Sequence, residues 1–330
     1  MILLTGGAGF IGSCLNAALQ ERGCPVAVVD RLGSGPKWRN LRRRPPQEIV
    51  PPEALDAWLA APPPGRPPVE AVVHLGAVSE TTATDGDLVW HSNVSLSQNL
   101  WRWCAQAGVK LIYASSAATY GAAEGEGAFS DDPARLDALR PLNLYGWSKH
   151  AFDLWVRAEL AAGRPAPPRW FGLKFFNVYG PNEYHKGSMI SVVKVKRDEV
   201  VAGGPARLFR SDRSDVPDGE QQRDFVWVGD VVDVMLWLLD TPAAPSGLFN
   251  LGTGTARSYL DLARAVCDAA GVPERIEFVP MPEALRGQYQ SFTRADLARL
   301  RDAGYPGQFT PLEEGIRRYV SILADPDPYL

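Results

Sequence analysis

The N-terminal run Ile2-Leu3-Leu4-Thr5-Gly6-Gly7-Ala8-Gly9-Phe10-Ile11-Gly12 constrains this chain more than any other stretch. Ile2 to Leu4 reads as a short buried strand, and Ser13 to Arg22 has the apolar spacing of a helix that ends before Gly23. Between them, Gly6, Gly9 and Gly12 permit a tight turn, a close backbone approach to a pyrophosphate, and close packing of helix on strand. The free amides at the helix start suit a diphosphate. A spaced glycine triplet alone is often only a turn. Here it stands between strand and helix, and a second strand, Val26 to Val29, delivers Asp30 about twenty residues on, where a carboxylate bonds the adenosine ribose. Arg31 and Lys37 could instead neutralise a 2'-phosphate, so the residues are compatible with NADP and with NAD.

The alternation of strand and helix continues. Prolines crowd residues 45 to 68 around one short helical segment, Ala54 to Ala61, which reads as a surface excursion. Ala71 to Leu75 resumes the buried-strand pattern and ends at Gly76-Ala77, the carboxyl end where such sheets bind ligands. His74 inside that run reads as a satisfied core histidine. Asp87 to Ala107 is expected to be one long helix with Asn93 early in it, followed by a strand from Lys110 to Ala114 and another from Arg169 to Phe175. Farther on, Arg223 to Val228 and Gly247 to Leu251 read as strands, with Asp230 capping a helix that reaches Leu239. Tyr259 to Ala270 and Leu312 to Leu323 read as helices, with Arg275 to Val279 extended between them. The expected class is α/β, a Rossmann-type doubly wound parallel sheet with a smaller C-terminal α/β substrate lobe. Residues 1–176 form the dinucleotide domain, completed by about 224–254, and residues 177–223 and 255–330 form the lobe.

Tyr145 and Lys149 lie one turn apart on a single helical face, after a break and cap at Pro141-Leu142-Asn143. A phenol titrates near 10 and needs about 4 kcal/mol of help to act as a base at neutral pH. One cation at about 5 Å supplies about 3 kcal/mol at an effective dielectric near 20. Such pairs also arise by chance on surface helices. A hydroxyl about thirty residues earlier, in Ser115-Ser116, either caps a turn or donates to the substrate oxygen on which Tyr145 acts.

Several classes are excluded. A net charge of -4 gives no general attraction for nucleic acid or an anionic membrane, and no apolar run is long enough to span one. Arg42-Arg43-Arg44 reads as a solvated loop. The four cysteines show neither CxxC spacing nor a secreted disulfide density, and read as buried thiols. The histidines form no ligand pair, so no metal is expected. A motif that begins at Thr5 leaves no room for a leader, and the expected location is cytoplasmic.

The glycine triplet, Ser116 with Tyr145 and Lys149, and Asn177-Val178-Tyr179-Gly180-Pro181 together resemble the extended short-chain dehydrogenase/reductase family acting on nucleotide sugars. Tyr113 to Gly121, Pro141 to Gly146, Arg223 to Val226, Gln288 to Thr293 and above all His185-Lys186-Gly187-Ser188-Met189 are similar to its ADP-L-glycero-D-manno-heptose 6-epimerases. Sugar dehydratases of the superfamily carry an Asp-Glu pair just after the serine, and here Ala and Thr stand in those places. The resemblance implies an enzyme that inverts C6 of an ADP-heptose substrate by transient oxidation with tightly bound NADP, in supply of lipopolysaccharide core precursors. It implies Tyr145 and Lys186 as the two acid/base groups, Ser116 as hydrogen-bond partner, and Lys149 on the cofactor ribose, lowering the phenol pKa. Taken alone, Lys186 reads as an ordinary surface lysine in a turn beside Gly187.

The same resemblance implies cofactor contacts at Gly6, Gly9, Phe10, Ile11, Gly12, Asp30, Arg31, Lys37, Leu75, Gly76, Ala77, Ser79, Asn93 and Lys149. It implies substrate contacts at Ser116, Asn177, Val178, Ser188, Phe209, Arg223 and Tyr289, and a homo-oligomer. Arg31 stands where the family often has Asn, and Gln288 where a basic residue is common. The nearest alternative is a 4-epimerase or oxidoreductase of another nucleotide sugar.

Overall fold

The computed structural model describes residues 1–125, 127–283 and 290–330. The chain begins with β1 (Ile2–Thr5), the glycine turn and α1 (Phe10–Glu21), followed by β2 (Val26–Val29), β3 (Glu48–Val50), α2 (Leu55–Ala60) and β4 (Ala71–His74). Next come α3 (Gly86–Trp90) and α4 (Leu96–Ala107), joined by a π turn at His91–Ser95, then β5 (Lys110–Ser116), α5 (Leu144–Ala161) and β6 (Trp170–Phe175). The second half contains β7 (Asn177–Tyr179), α6 (Val192–Val201), β8 (Ala206–Phe209), β9 (Gln222–Trp227), α7 (Val228–Asp240) and β10 (Gly247–Leu251). It closes with β11 (Ala256–Ser258), α8 (Tyr259–Ala270), β12 (Ile276–Val279), α9 (Ala298–Asp302) and α10 (Leu312–Leu323).

Seven strands form one parallel sheet in the order β10-β6-β5-β4-β1-β2-β3. The chain winds outward from β1 to β3, then crosses back to place β4 on the other side of β1. That reversal opens a crevice at the carboxyl ends of β1 and β4, where a doubly wound sheet takes its ligand. Side chains alternate between two apolar layers, with Leu4, Val28 and Val73 on one face and Leu3, Ala27 and Val72 on the other. Burial on both faces explains why these strands are continuously apolar and need crossover helices.

The remaining strands form a three-stranded sheet, β11-β9-β7, and a two-stranded one, β12-β8. β9 runs antiparallel to β11 and parallel to β7, so the segment after β6 leaves the main sheet at once.

Several expectations change. The proline-rich stretch contains β3, the edge strand of the main sheet, paired with β2 through Glu48 to Val50. Prolines flank it rather than interrupt it, as an edge position permits. The helix expected from Asp87 to Ala107 is broken by the π turn that holds Asn93. Asp230 lies inside α7, not at its start, and its carboxylate accepts from Thr310 N and Oγ1, both at 2.7 Å. The arginine run is not a free loop. Arg43 donates to Tyr329 O at 2.6 Å and Asp327 O at 3.0 Å, and Arg42 pairs with Asp327, so the run clamps the C-terminal segment. Cys14, Cys104 and Cys267 are buried thiols, while Cys24 is only partly covered.

Candidate active site

The glycine turn is built by contact distances. Gly6 has φ +69°, and a Cβ there would lie 2.7 Å from Gly76 N at the end of β4. A Cβ on Gly12 would lie 2.2 Å from Gly6 O, so α1 seats directly on the turn only without a side chain. α1 begins at Gly9 with no side-chain cap, which leaves its positive end to a ligand. These are the features that a dinucleotide diphosphate requires, and the residues fit the cofactor.

Asp30 closes the turn. Its Oδ2 accepts from Ala8 N at 2.9 Å, and its Oδ1 accepts from Arg31 N at 2.7 Å and Lys37 Nζ at 2.5 Å. Lys37 also donates to Arg31 O at 3.1 Å. The carboxylate is thus neutralised by an ammonium that itself faces the cavity. The Arg31 guanidinium points elsewhere and pairs with Glu53 at 3.1 Å.

One cavity of about 560 Å³ runs from this turn past the ends of β4, β5 and β6. Gly6, Gly9, Phe10, Ile11, Gly12, Asp30, Lys37, Leu75, Gly76, Ala77 and Ser79 line one end. Ser116, Tyr145, Lys149, Asn177, Val178 and Lys186 line the rest. Tyr145, carried on α5, and Lys186, on the loop after β7, therefore line one cavity.

Asn143 caps α5 by accepting from Gly146 N at 2.8 Å, which fixes the start of the helix that carries Tyr145 and Lys149. Ser116 ends β5, and its Oγ accepts from Ala118 N at 3.1 Å. Burial pushes the Tyr145 phenol above its ordinary value, with the Ser116 hydrogen bond opposing. Burial pulls Lys149 down to about 8, with Asp153 one turn farther along α5 opposing. Desolvation of both groups thus opposes the attraction that the i,i+4 spacing provides. Asp153 is itself held by Lys174 Nζ at 2.7 Å and Ser115 Oγ at 2.7 Å, all inside the core.

Lys186 sits in a loop that starts at Asn182, a non-glycine residue with φ +70°. Asn182 stands there because its side chain donates to Ser13 Oγ at 3.0 Å and its carbonyl accepts from Asn40 Nδ2 at 2.9 Å. The Lys186 Nζ lies 5.2 Å from the centre of the Phe10 ring. Burial lowers its pKa and Glu183 opposes.

Other residues singled out from sequence lie off the cavity wall. Asn93 is buried in the π turn, donating to Val78 O and Ser148 Oγ at 2.9 Å, and so braces α5 against the loop after β4. Arg223 is buried, donates to Gln222 O at 2.9 Å and packs its guanidinium 5.7 Å from the centre of the Tyr259 ring. Ser188 is exposed and Phe209 half-buried, and neither lines the cavity. Tyr289 and Gln288 lie outside the described residues. The cavity also takes in Thr81, His185, Ser191, Tyr259, Gln290 and Thr293, which sequence reasoning passed over. His185 lies within the HKGSM segment, and Gln290 and Thr293 within Gln288 to Thr293, so those motifs were the available signals. Among the described residues no cluster could hold a metal, and no helix is long and apolar enough to cross a membrane.

Residues 2–252 match the model of the NAD dependent epimerase/dehydratase family. The chain is 47% identical over its whole length to the whole ADP-L-glycero-D-manno-heptose-6-epimerase of Nitratidesulfovibrio vulgaris. It superimposes on the crystal structure of the Helicobacter pylori ADP-L-glycero-D-manno-heptose-6-epimerase with a TM-score of 0.78 at 28% identity, covering 97% of this chain and 95% of that one. The Thermus thermophilus UDP-glucose 4-epimerase, solved with NAD, gives a TM-score of 0.73 at 28% identity over 97% of each chain. With its parallel nucleotide-binding sheet and full-length similarity, the chain belongs to the NAD dependent epimerase/dehydratase family and, within it, to the ADP-L-glycero-D-manno-heptose-6-epimerases.

Proposed function

We propose that the chain interconverts ADP-D-glycero-D-manno-heptose and ADP-L-glycero-D-manno-heptose by inverting C6. The observation that carries this reading is that Tyr145 and Lys186, from separate elements, line the same cavity as the glycine turn. The C–H bond of an unactivated carbinol carbon is not acidic, so inversion needs a redox detour, and a bound nicotinamide supplies reversible removal of hydride. When the exocyclic carbon turns about its bond to the ring, its oxygen moves from one side to the other. A single fixed acid/base cannot follow it. Tyr145 exchanges the proton in one pose and Lys186 in the other, while Ser116 donates to the oxygen beside Tyr145.

Lys149 lies one turn from Tyr145 on the cavity wall, where it would hold the cofactor ribose, and its charge favours the phenolate. Because burial raises Tyr145, that field is needed rather than optional. The lowered Lys186 suits proton exchange near neutral pH. For the cofactor we favour NADP: Lys37 neutralises Asp30, and its ammonium faces the cavity where a 2'-phosphate would lie. Free thiols in the core suit the reducing cytoplasm. Exposed Trp90 and Trp147, with ring centres 5.4 Å apart beside exposed Leu88, suit a homo-oligomer.

The test is incubation of purified protein with ADP-D-glycero-D-manno-heptose, without added cofactor, while the sugar protons are followed by NMR. Interconversion supports the assignment, and an unchanged spectrum defeats it. Denaturing the protein and identifying the released nucleotide by mass spectrometry separates NADP from NAD.

A further inference from the structure

Glu183 opens the turn that ends at Lys186 and is fully buried. Its Oε1 accepts from the Ser191 hydroxyl at 2.5 Å and from the Tyr319 hydroxyl at 2.8 Å, and its Oε2 accepts from Ser191 N at 2.8 Å. Lys186 N donates back to Glu183 O at 3.1 Å, so backbone and carboxylate share one rigid turn. The donors arrive from the start of α6 and from α10, which lies more than a hundred residues later in sequence. Three neutral donors hold the carboxylate in place but leave its charge, if present, to act through the interior on whatever cation is near. Lys186, three residues on in the same turn, is the cation whose charged form it favours.

We propose that Glu183 is a positioning residue for Lys186: the carboxylate, fixed by Ser191 and Tyr319, anchors the turn that carries Lys186 and sets how readily the amine gives up its proton. This rests on the reading that Lys186 exchanges a proton with the substrate. It adds a role for a carboxylate that never touches the reacting atoms, and it ties the last helix of the chain to the chemistry.

The other charged or titratable groups around this turn are His185 beside Lys186, Lys37 and Asp30 after β2, Cys14 on α1, Tyr184 in the turn and Asp198 on α6. Lys37 and Asp30 are paired with each other. Glu183 is the group that opposes burial at Lys186. The pull is mutual, since Lys186 favours the charged form of Glu183 against the burial that raises it. Ser191 and Tyr319 act in the same sense as Lys186 by donating to the carboxylate.

The experiment is competitive labelling of the Lys186 amine with acetic anhydride across pH, read by peptide mass spectrometry and normalised to the high-pH plateau. It compares the full-length protein with Glu183→Gln, Ser191→Ala and Tyr319→Phe, each checked for native circular dichroism. With the carboxylate neutralised, relative labelling of Lys186 at pH 7 rises on the order of tenfold. Ser191→Ala and Tyr319→Phe give a smaller rise, because removing a donor lets Glu183 take up a proton. The limb of the pH–rate profile governed by Lys186 moves to lower pH in all three. Superimposable labelling curves overturn the proposal. If Glu183→Gln does not fold, the other two variants decide by the same criterion. Full epimerisation by Lys186→Met would overturn the acid/base reading of Lys186 and leave the labelling result to stand or fall alone.

Discussion

Lys149→Met should stabilise the protein while abolishing its activity. Lys149 is 3% exposed, and its fall from 10.5 to about 8 measures how poorly the interior accommodates the ammonium, even with Asp153 one turn away. At about 1.4 kcal/mol for each factor of ten in proton affinity, the charged form costs about 3 kcal/mol at neutral pH. The sign follows from proton counting. Between the folded and unfolded midpoints the unfolded chain binds more protons at this site, so stability rises with pH there. The cost is fully present below about pH 8 and is gone near 10.5. Methionine keeps most of the stem and removes the charge, so the variant should gain about 3 kcal/mol at pH 6.5, with the gap closing toward pH 10.5. Urea unfolding of nucleotide-stripped protein at several pH values measures it, since a bound nucleotide would add its own Lys149-dependent term. A variant less stable than wild type at pH 6.5, or a gap that does not shrink with pH, would refute the reasoning.

Tyr145→Phe keeps the ring and removes the phenolic hydroxyl proposed as acid/base. The NMR assay should show epimerisation slowed by roughly 100- to 10,000-fold while the protein still carries nucleotide. Gly12→Ala puts a Cβ 2.2 Å from Gly6 O, and should yield protein whose denatured extract lacks nucleotide by mass spectrometry. Lys174→Met strands the Asp153 carboxylate, both side chains being wholly buried, and should lower the unfolding free energy by about 3–5 kcal/mol in urea. Arg43→Ala releases two carbonyls of the C-terminal segment, and limited proteolysis should trim residues 325–330 faster.

What the sequence made legible was whatever is decided within a few residues. The glycine turn, Asp30 at the end of β2, the cap at Asn143 and the i,i+4 relation of Tyr145 to Lys149 all follow from short spacings and known backbone geometry. The apolar strands were legible because the sheet is covered on both faces. Less legible was β3, three residues between prolines, whose strand character comes from its pairing with β2 rather than from its own pattern. The π turn at Asn93 had no local signature, because its geometry is fixed by bonds to Val78 and Ser148, far away in sequence. Arg223 was likewise not placed by its own type: its position on β9 packs the guanidinium against the Tyr259 ring, which lines the cavity.

Tyr145 and Lys186, the two proposed acid/base groups, illustrate the same division in a way that bears on mechanism. Tyr145 rides a long helix braced by its own cap and by Asn93, so its position is fixed largely by local structure. Lys186 rides a loop that carries one short 3-10 turn, Gly187–Met189, and its place is set by partners scattered along the chain. Asn182 binds Ser13, Asn40 and the backbone of Leu330, Tyr184 reaches Pro328 O at 2.8 Å, and Glu183 reaches Tyr319 on the last helix. A loop held by residues near both ends of the chain is placed by long-range contacts rather than by its own sequence. Changes near the C-terminus should therefore alter the Lys186 limb of the pH–rate profile before they touch the Tyr145 limb, although residues 325–330 reach no part of the cavity wall.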